Sequence, residues 1–145
     1  MATPRPNPYG AFNYTVALDG TDAGGFSDVS GLGVDVSYSE YRNGNEPFNT
    51  SRKIQNTHKN DDITLKRGLI GKDDLFAWVK AVRDGAIEPR TVTITLLDEA
   101  RNPVVTWTLR NAQPKKWTGP TLAAKGGGEV SMEELHLVHE GIEYK

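Results

Sequence analysis

The sequence predicts a mainly antiparallel β domain served by a single helix. Apolar–polar alternation of period two recurs through residues 9–19, 34–41, 61–69, 91–97 and 104–110, the signature of strands with one buried face. Only residues 73–82 change to a helical period, with Leu75, Phe76, Val79 and Val82 on one face. Fifteen glycines and eight prolines among 145 residues supply the turns such a chain requires.

A chain of this length suits one domain and buries roughly 70% of its unfolded surface on folding. Hydrophobic content of 37% and charged content of 25% exclude the disordered and fibrous classes. No apolar run approaches the roughly 18 residues of a membrane helix, and the opening Met1-Ala2-Thr3-Pro4-Arg5 lacks the apolar centre of a signal peptide. The expectation is synthesis in the cytoplasm without a cleaved signal, and no membrane insertion. Cysteine is absent, which excludes disulfides and thiolate chemistry. A net charge of -2 gives no overall attraction to nucleic acid, since that requires an excess of Lys and Arg.

In chain order, residues 1–8 form a proline-spaced extended arm, either a frayed terminus or a strap laid on a partner. The domain occupies residues 9–145. Its first strand alternates Phe12, Tyr14, Val16 and Leu18 against polar neighbours and closes at Asp19-Gly20. Gly31 and Gly33 precede the strand at 34–41 and predict a bulge or a close backbone approach. A phosphate-cradling loop is the alternative, but no helix follows to supply amide donors. Residues 42–60 are rich in Asn, Gly, Thr and Lys with little apolar pattern. That is long for a connection, and fits either an exposed hairpin tip or an arm reaching another subunit.

Ile63, Leu65 and the stem of Arg67 form the inner face of the next strand. Asp73 is placed to cap the helix, with Gly85 at its far end and Pro89 beyond. At about ten residues the helix depends on packing against the sheet. Strands at 91–97 and 104–110 form a hairpin, and the chain bends at Pro114. After Gly126-Gly127-Gly128 a last strand runs over 129–144. Its apolar phase shifts from Val130 and Met132 to Leu135 and Leu137, which predicts a bulge.

The chemistry-bearing residues do not form a recognisable reaction centre. His136 and His139 are three apart on a predicted strand and face opposite ways, unsuited to sharing a metal. Asp61-Asp62, Asp73-Asp74 and Asp98-Glu99 read as turn residues and caps, because acid–base pairs need carboxyls facing each other across a bond. Neither a nucleophile elbow nor a Walker loop is present. Lys66-Arg67 with Lys115-Lys116-Trp117 reads as a solvated face or an intersubunit salt-bridge site, or alternatively as a basic platform for nucleic acid. No catalytic residue, metal site or cofactor is predicted.

The ordered set Asn7-Pro8-Tyr9, Phe12-Asn13-Tyr14, 26–32, Glu40-Tyr41-Arg42, Arg52-Lys53, 62–68, Leu97-Asp98-Glu99, Arg110-Asn111-Ala112, Pro114 with Lys116-Trp117 and Gly119-Pro120, and His139-Glu140-Gly141 resembles the tail-tube family of contractile phages and related injection systems. The resemblance covers nearly the whole chain. It implies two packed antiparallel sheets in a barrel-like sandwich flanked by one helix. It implies a subunit of homo-hexameric rings, stacked into a hollow tube inside a sheath protein and resident in a bacterial phage tail or injection particle. Baseplate and tube-terminating proteins would be further partners, with DNA or protein effectors as lumen cargo. Unpaired sheet edges, a hazard in a monomer, would be removed by closing the ring.

The same resemblance implies that loop 43–60 contacts adjoining subunits and rings, with Asn43, Asn45, Glu46, Phe48, Arg52, Lys53, His58 and Lys59 as contact residues. Where many relatives carry a Pro-Gly turn after the Arg-Lys pair, this chain has Gln55-Asn56. Trp78 and Lys80, off the apolar stripe, are expected on the outer face of the helix. The alternative is a monomeric ligand-binding β-barrel, distinguished by a closed apolar pocket.

Overall fold

The computed structural model describes residues 5–22, 24–71, 73–122, 124 and 130–145. The glycine run at 126–128 and the first residues of the N-terminal arm lie outside the described residues. Alternating inward residues build β1 (Tyr14–Leu18), β6 (Ile63–Gly68), β7 (Arg90–Leu97) and β9 (Met132–Val138). Short edge strands β2 (Thr21–Asp22), β3 (Asp28–Ser30) and β10 (Gly141–Tyr144) flank them. The remaining strands are β4 (Val34–Tyr41), β5 (Arg52–Asn60) and β8 (Pro103–Thr118).

All pairings are antiparallel. One sheet runs β2-β1-β7-β8-β10 and the other β8-β9-β6-β3, so β8 belongs to both. Its first part lies between β7 and β10, and from Gln113 onward it pairs with β9. The transfer occurs where Asn111 takes a positive φ of 49° and the register slips between Pro114 and Lys116. Asn tolerates the left-handed region, and proline has no N–H to give the ladder. The bend expected at Pro114 is therefore the corner of a sandwich. The sheets do not close into a barrel, because β2 and β3 end as separate free edges.

Val16, Leu18, Val92, Ile94 and Leu109 from one sheet meet Ile63, Leu65, Leu135 and Leu137 from the other. Helix α1 (Asp74–Arg83) adds Leu75 and Trp78 to this core, with Val79 and Val82 partly buried against it. The inward stripe is thus 75, 78, 79 and 82, and this corrects two expectations. Phe76 stands at the rim, its ring edge-on to Trp117 at 5.0 Å. Trp78 is 1% exposed, so it belongs to the core and not to the outer face. Its Nε1 donates to the Glu88 carbonyl at 2.9 Å and the Arg90 guanidinium lies 4.8 Å from its ring. Lys80 is exposed.

Asp73 makes no side-chain capping bond. The charge in the first turn comes from Asp74, favourable toward the helix dipole. At the other end Ala86 N–H bonds the Ala81 carbonyl at 2.9 Å and Gly85 N–H the Val82 carbonyl at 3.1 Å. With Gly85 at φ 103° this is a Schellman ending.

The bulge expected at the start of β9 is not formed. β6 and β9 pair without a register shift, and Glu133 stands opposite Arg67. The inward position preceding Leu135 is simply the charged Glu133, while Met132 faces the other way. Arg67 Nε donates to Glu133 Oε1 at 2.6 Å, and its other end pairs with Asp74. Trp117 Nε1 donates to the second Glu133 oxygen at 3.2 Å. A buried guanidinium is tolerable only when paired in this way. Burial pushes the Asp74 carboxyl up, but the bond and charge of Arg67 outweigh it and hold the group below its ordinary value. The expected single strand over 129–144 is two strands, broken at His139-Glu140.

Candidate assembly surfaces

The segment expected as loop 43–60 is half strand: residues 52–60 form β5, paired with β4 in a two-stranded ribbon separate from both sheets. Only 42–51 connect them. Every residue of β4 is exposed, and all of β5 except Asn60. Against one Ser37, β5 presents Asn56 and Thr57 between the Val36–His58 and Tyr38–Gln55 pairs, a bulge that increases local twist. The Gln55-Asn56 departure therefore falls at a bulge in the middle of a strand.

The ribbon gathers all eight residues expected to make intersubunit contacts. Arg42, which sequence reasoning missed, organises the tip by donating to the carbonyls of Phe48 at 2.8 Å and Glu46 at 3.0 Å. Asn43 accepts a hydrogen bond from the Tyr41 hydroxyl and, through its carbonyl, from Glu46 N–H at 3.1 Å. Arg52 pairs with Glu46 at 2.8 Å and Lys53 with Glu40. These charges shape the ribbon. Asn45, Lys59 and His58 are exposed along it, and Phe48 is 75% exposed at the tip. Val34, Val36, Tyr38, Tyr41 and Ile54 also face solvent. Their alternation in β4 signals a strand but gives no sign that both of its faces are bare.

Elsewhere the charged clusters are internal ties. Lys115 Nζ lies 2.7 Å from Asp62 Oδ2, and Lys66 lies 3.4 Å from Glu134. Arg67 is buried, and the Lys66 and Lys115 ion pairs are made within the chain. Asp98 Oδ1 accepts the N–H groups of Ala100 and Asn102 in the β7–β8 turn. Glu99 holds Arg5 through two 3.0 Å bonds, and Arg5 also stacks 3.8 Å from the Tyr9 ring. The described end of the N-terminal arm is thus tied to its own domain. His136 Nδ1 lies 3.2 Å from Thr64 Oγ1, while His139 Nε2 donates to the Asp61 carbonyl at 3.1 Å.

Free edges at β2, β3 and β10, together with a ribbon bare on both faces, are the features of a structural β-sandwich subunit rather than of an enclosed binding site. Residues 10–143 match the family described as T4-like virus tail tube protein gp19, and the chain belongs to that family. Comparison with curated proteins gave no match. Among solved structures the chain is 25% identical, with a TM-score of 0.86, to a chain of the sheath–tube complex of an extracellular contractile injection system, PVC, in the extended state; the match covers 97% of this chain and 93% of that one. A chain from the sheath/tube terminator of PVC, also extended, is 26% identical at a TM-score of 0.84, covering 99% of each. Hcp1 from Flavobacterium johnsoniae, at 12% identity and a TM-score of 0.60 over 90% of this chain and 93% of that one, shares the fold.

Proposed function

We propose that this protein is the inner-tube subunit of a contractile tail or injection system. Six copies form a ring, rings stack into a hollow tube, and the tube conducts DNA or protein cargo. The observation that carries this reading is the β4–β5 ribbon. A two-stranded ribbon with no core beneath it is at best marginally stable in water, and this one exposes Val34, Val36, Tyr38, Ile54 and Phe48. Covering by neighbouring copies gives those residues a use, and ring closure removes the free edges. The likeness to chains of PVC sheath–tube and terminator assemblies supports sheath and tube-terminating proteins as further partners, with residence in the assembled particle.

The lumen wall in this reading is the outer face of the larger sheet. There Thr15, Thr95 and Thr106 stand in one register row, and Thr93 faces Thr108 in the next. Such a face is polar, with Glu143 of β10 standing beside Thr108 in the second row. No chemical step is assigned to the protein. No helix among the described residues is long and apolar enough to cross a membrane.

A monomeric ligand-binding barrel would need a closed pocket. The apolar cleft lined by Tyr9, Tyr14, Leu32, Leu96 and Trp107 is open and holds about 190 Å³, below the roughly 300–1,000 Å³ of ligand sites. Electron microscopy of the purified protein is expected to reveal six-membered rings or tubes. A strictly monomeric species at high concentration would overturn the assignment.

A further inference from the structure

The ribbon is not an independent hairpin. In the β3–β6 pair, Asp28 stands opposite Lys66 and Ser30 opposite Thr64; beyond a gap, Val34 stands opposite Asn60 and Asp35 opposite Lys59. The pairing moves one residue forward on one strand for each residue back on the other, and the gap keeps that count. β4–β5 is therefore the same ladder continued. Asp61 N–H still donates to the Gly33 carbonyl at 3.2 Å, a bond in the conserved register. The interruption is confined to Gly31 and Leu32 on one strand and Asp62 on the other.

Gly31 makes the break. Its φ is 94°, and a Cβ there would overlap the carbonyl oxygen of Asp62. The Asp62 carbonyl thus occupies space that only glycine leaves open. Gly33 is similarly close to Asp61 Oδ2. Two side chains from the sandwich then hold the opposite strand at this point. Lys115, on β8, reaches Asp62 Oδ2 at 2.7 Å, and that bond keeps the Asp62 carboxyl below its ordinary value. His139, between β9 and β10, donates from Nε2 to the Asp61 carbonyl at 3.1 Å. Its Nδ1 is buried with no hydrogen-bond partner among the described residues, so the ring is seated there for this one bond.

We propose that Gly31, Lys115 and His139 are positioning residues that latch the root of the ribbon, fixing the angle at which it leaves the sandwich and so its aim at a neighbouring copy. The aim at a copy rests on the tube-subunit reading; the latch itself does not. A hydrogen bond and an exposed ion pair together hold the latched angle over a released one by about tenfold. Losing both lets the ribbon sample a range of directions while the core keeps its packing.

The chain has no cysteine, so Asn45→Cys at the ribbon tip and Ala100→Cys in the β7–β8 turn give two unique sites for spin labels. Pulsed electron resonance on the full chain, kept too dilute to polymerise, is expected to yield a narrow distance distribution. Adding Lys115→Ala and His139→Ala should raise the ratio of population outside that peak to population within it about tenfold, with the core's unfolding midpoint in urea little changed. A broad distribution in the unsubstituted protein, or an unchanged narrow one in the double variant, would overturn the latch. Phe48→Ser separates the two readings, since it should lower polymerisation without widening the distribution. A latched protein that never forms rings or tubes would leave the latch standing and refute the tube.

Discussion

Removing the Glu133 carboxylate is the sharpest test of what holds this sandwich and its helix together. Arg67 is 0% exposed and Glu133 2% exposed. Glu133→Ala deletes the 2.6 Å bond to the guanidinium and the 3.2 Å acceptor of Trp117 Nε1. Both bonds end on the Glu133 carboxylate, and a hydrogen bond to a charged group contributes about 1.5–3 kcal/mol. The loss is therefore about 3 kcal/mol, at the low end of the range for a broken buried pair because Asp74 still neutralises Arg67. For a domain of this size that lowers the melting temperature by roughly 6–12 °C. Urea unfolding followed by tryptophan fluorescence on dilute protein measures it. The double variant Arg67→Met/Glu133→Leu supplies the control: it should recover part of the loss, because no buried guanidinium then needs a partner, while Trp117 Nε1 stays without its acceptor. A Glu133→Ala cost below about 1 kcal/mol, or a double variant as unstable as the single one, would refute the reasoning.

Other outcomes follow from the same geometry. Trp78→Ala should cost about 3–5 kcal/mol in the same urea assay, whereas Lys80→Ala on the exposed side should stay within about 0.5 kcal/mol. Gly31→Ala should cost clearly more than Gly20→Ala; both have positive φ, but a Cβ at Gly20 meets nothing within 4 Å, so only backbone strain of about 1 kcal/mol is added there. The Asp74 carboxyl is held below its ordinary value in the folded protein, so its contribution is present above the ordinary carboxylate range and lost as pH falls through the lowered folded value. Asp74→Asn should flatten that part of the acid limb in stability measured from pH 7 downward. Phe48→Ser should leave the urea midpoint within about 0.5 kcal/mol yet reduce rings and tubes in sedimentation and micrographs.

Periodicity reports burial, and that explains which elements were legible. β1, β6, β7 and the first part of β8 bury one face each, and their alternation placed them to within a few residues. β5 buries neither face, so 52–60 carries no apolar rhythm and reads as loop although it pairs with β4 on both sides of its bulge. The helix is legible as a helix, but Phe76 and Trp78 are both large and apolar beside Leu75, Val79 and Val82, and packing selects 75, 78, 79 and 82, the i, i+3, i+4, i+7 set. β9 was misread because a charge fills an inward position, and the Arg67 that justifies it lies 66 residues away. The latch was partly visible: Gly31 and Gly33 announced a close backbone approach, but nothing local names Lys115 or His139 as the groups that meet it.

The ribbon also explains why one ladder is built in two unlike parts. β3–β6 lies on the sandwich, and Leu65 is fully buried there; its register is set by the core, since a slip of one residue would turn Leu65 to solvent. β4–β5 has no core beneath it, so nothing of that kind sets its direction. A ribbon free to swing would lose, on docking, the freedom it had before, and association would weaken by that entropy. Fixing the root with Gly31, Lys115 and His139 removes part of the freedom in advance, while the exposed Val36, Tyr38 and Ile54 keep their apolar area for a partner. Bare apolar residues on an aimed ribbon are consistent with a surface that gains its packing only when a second chain arrives.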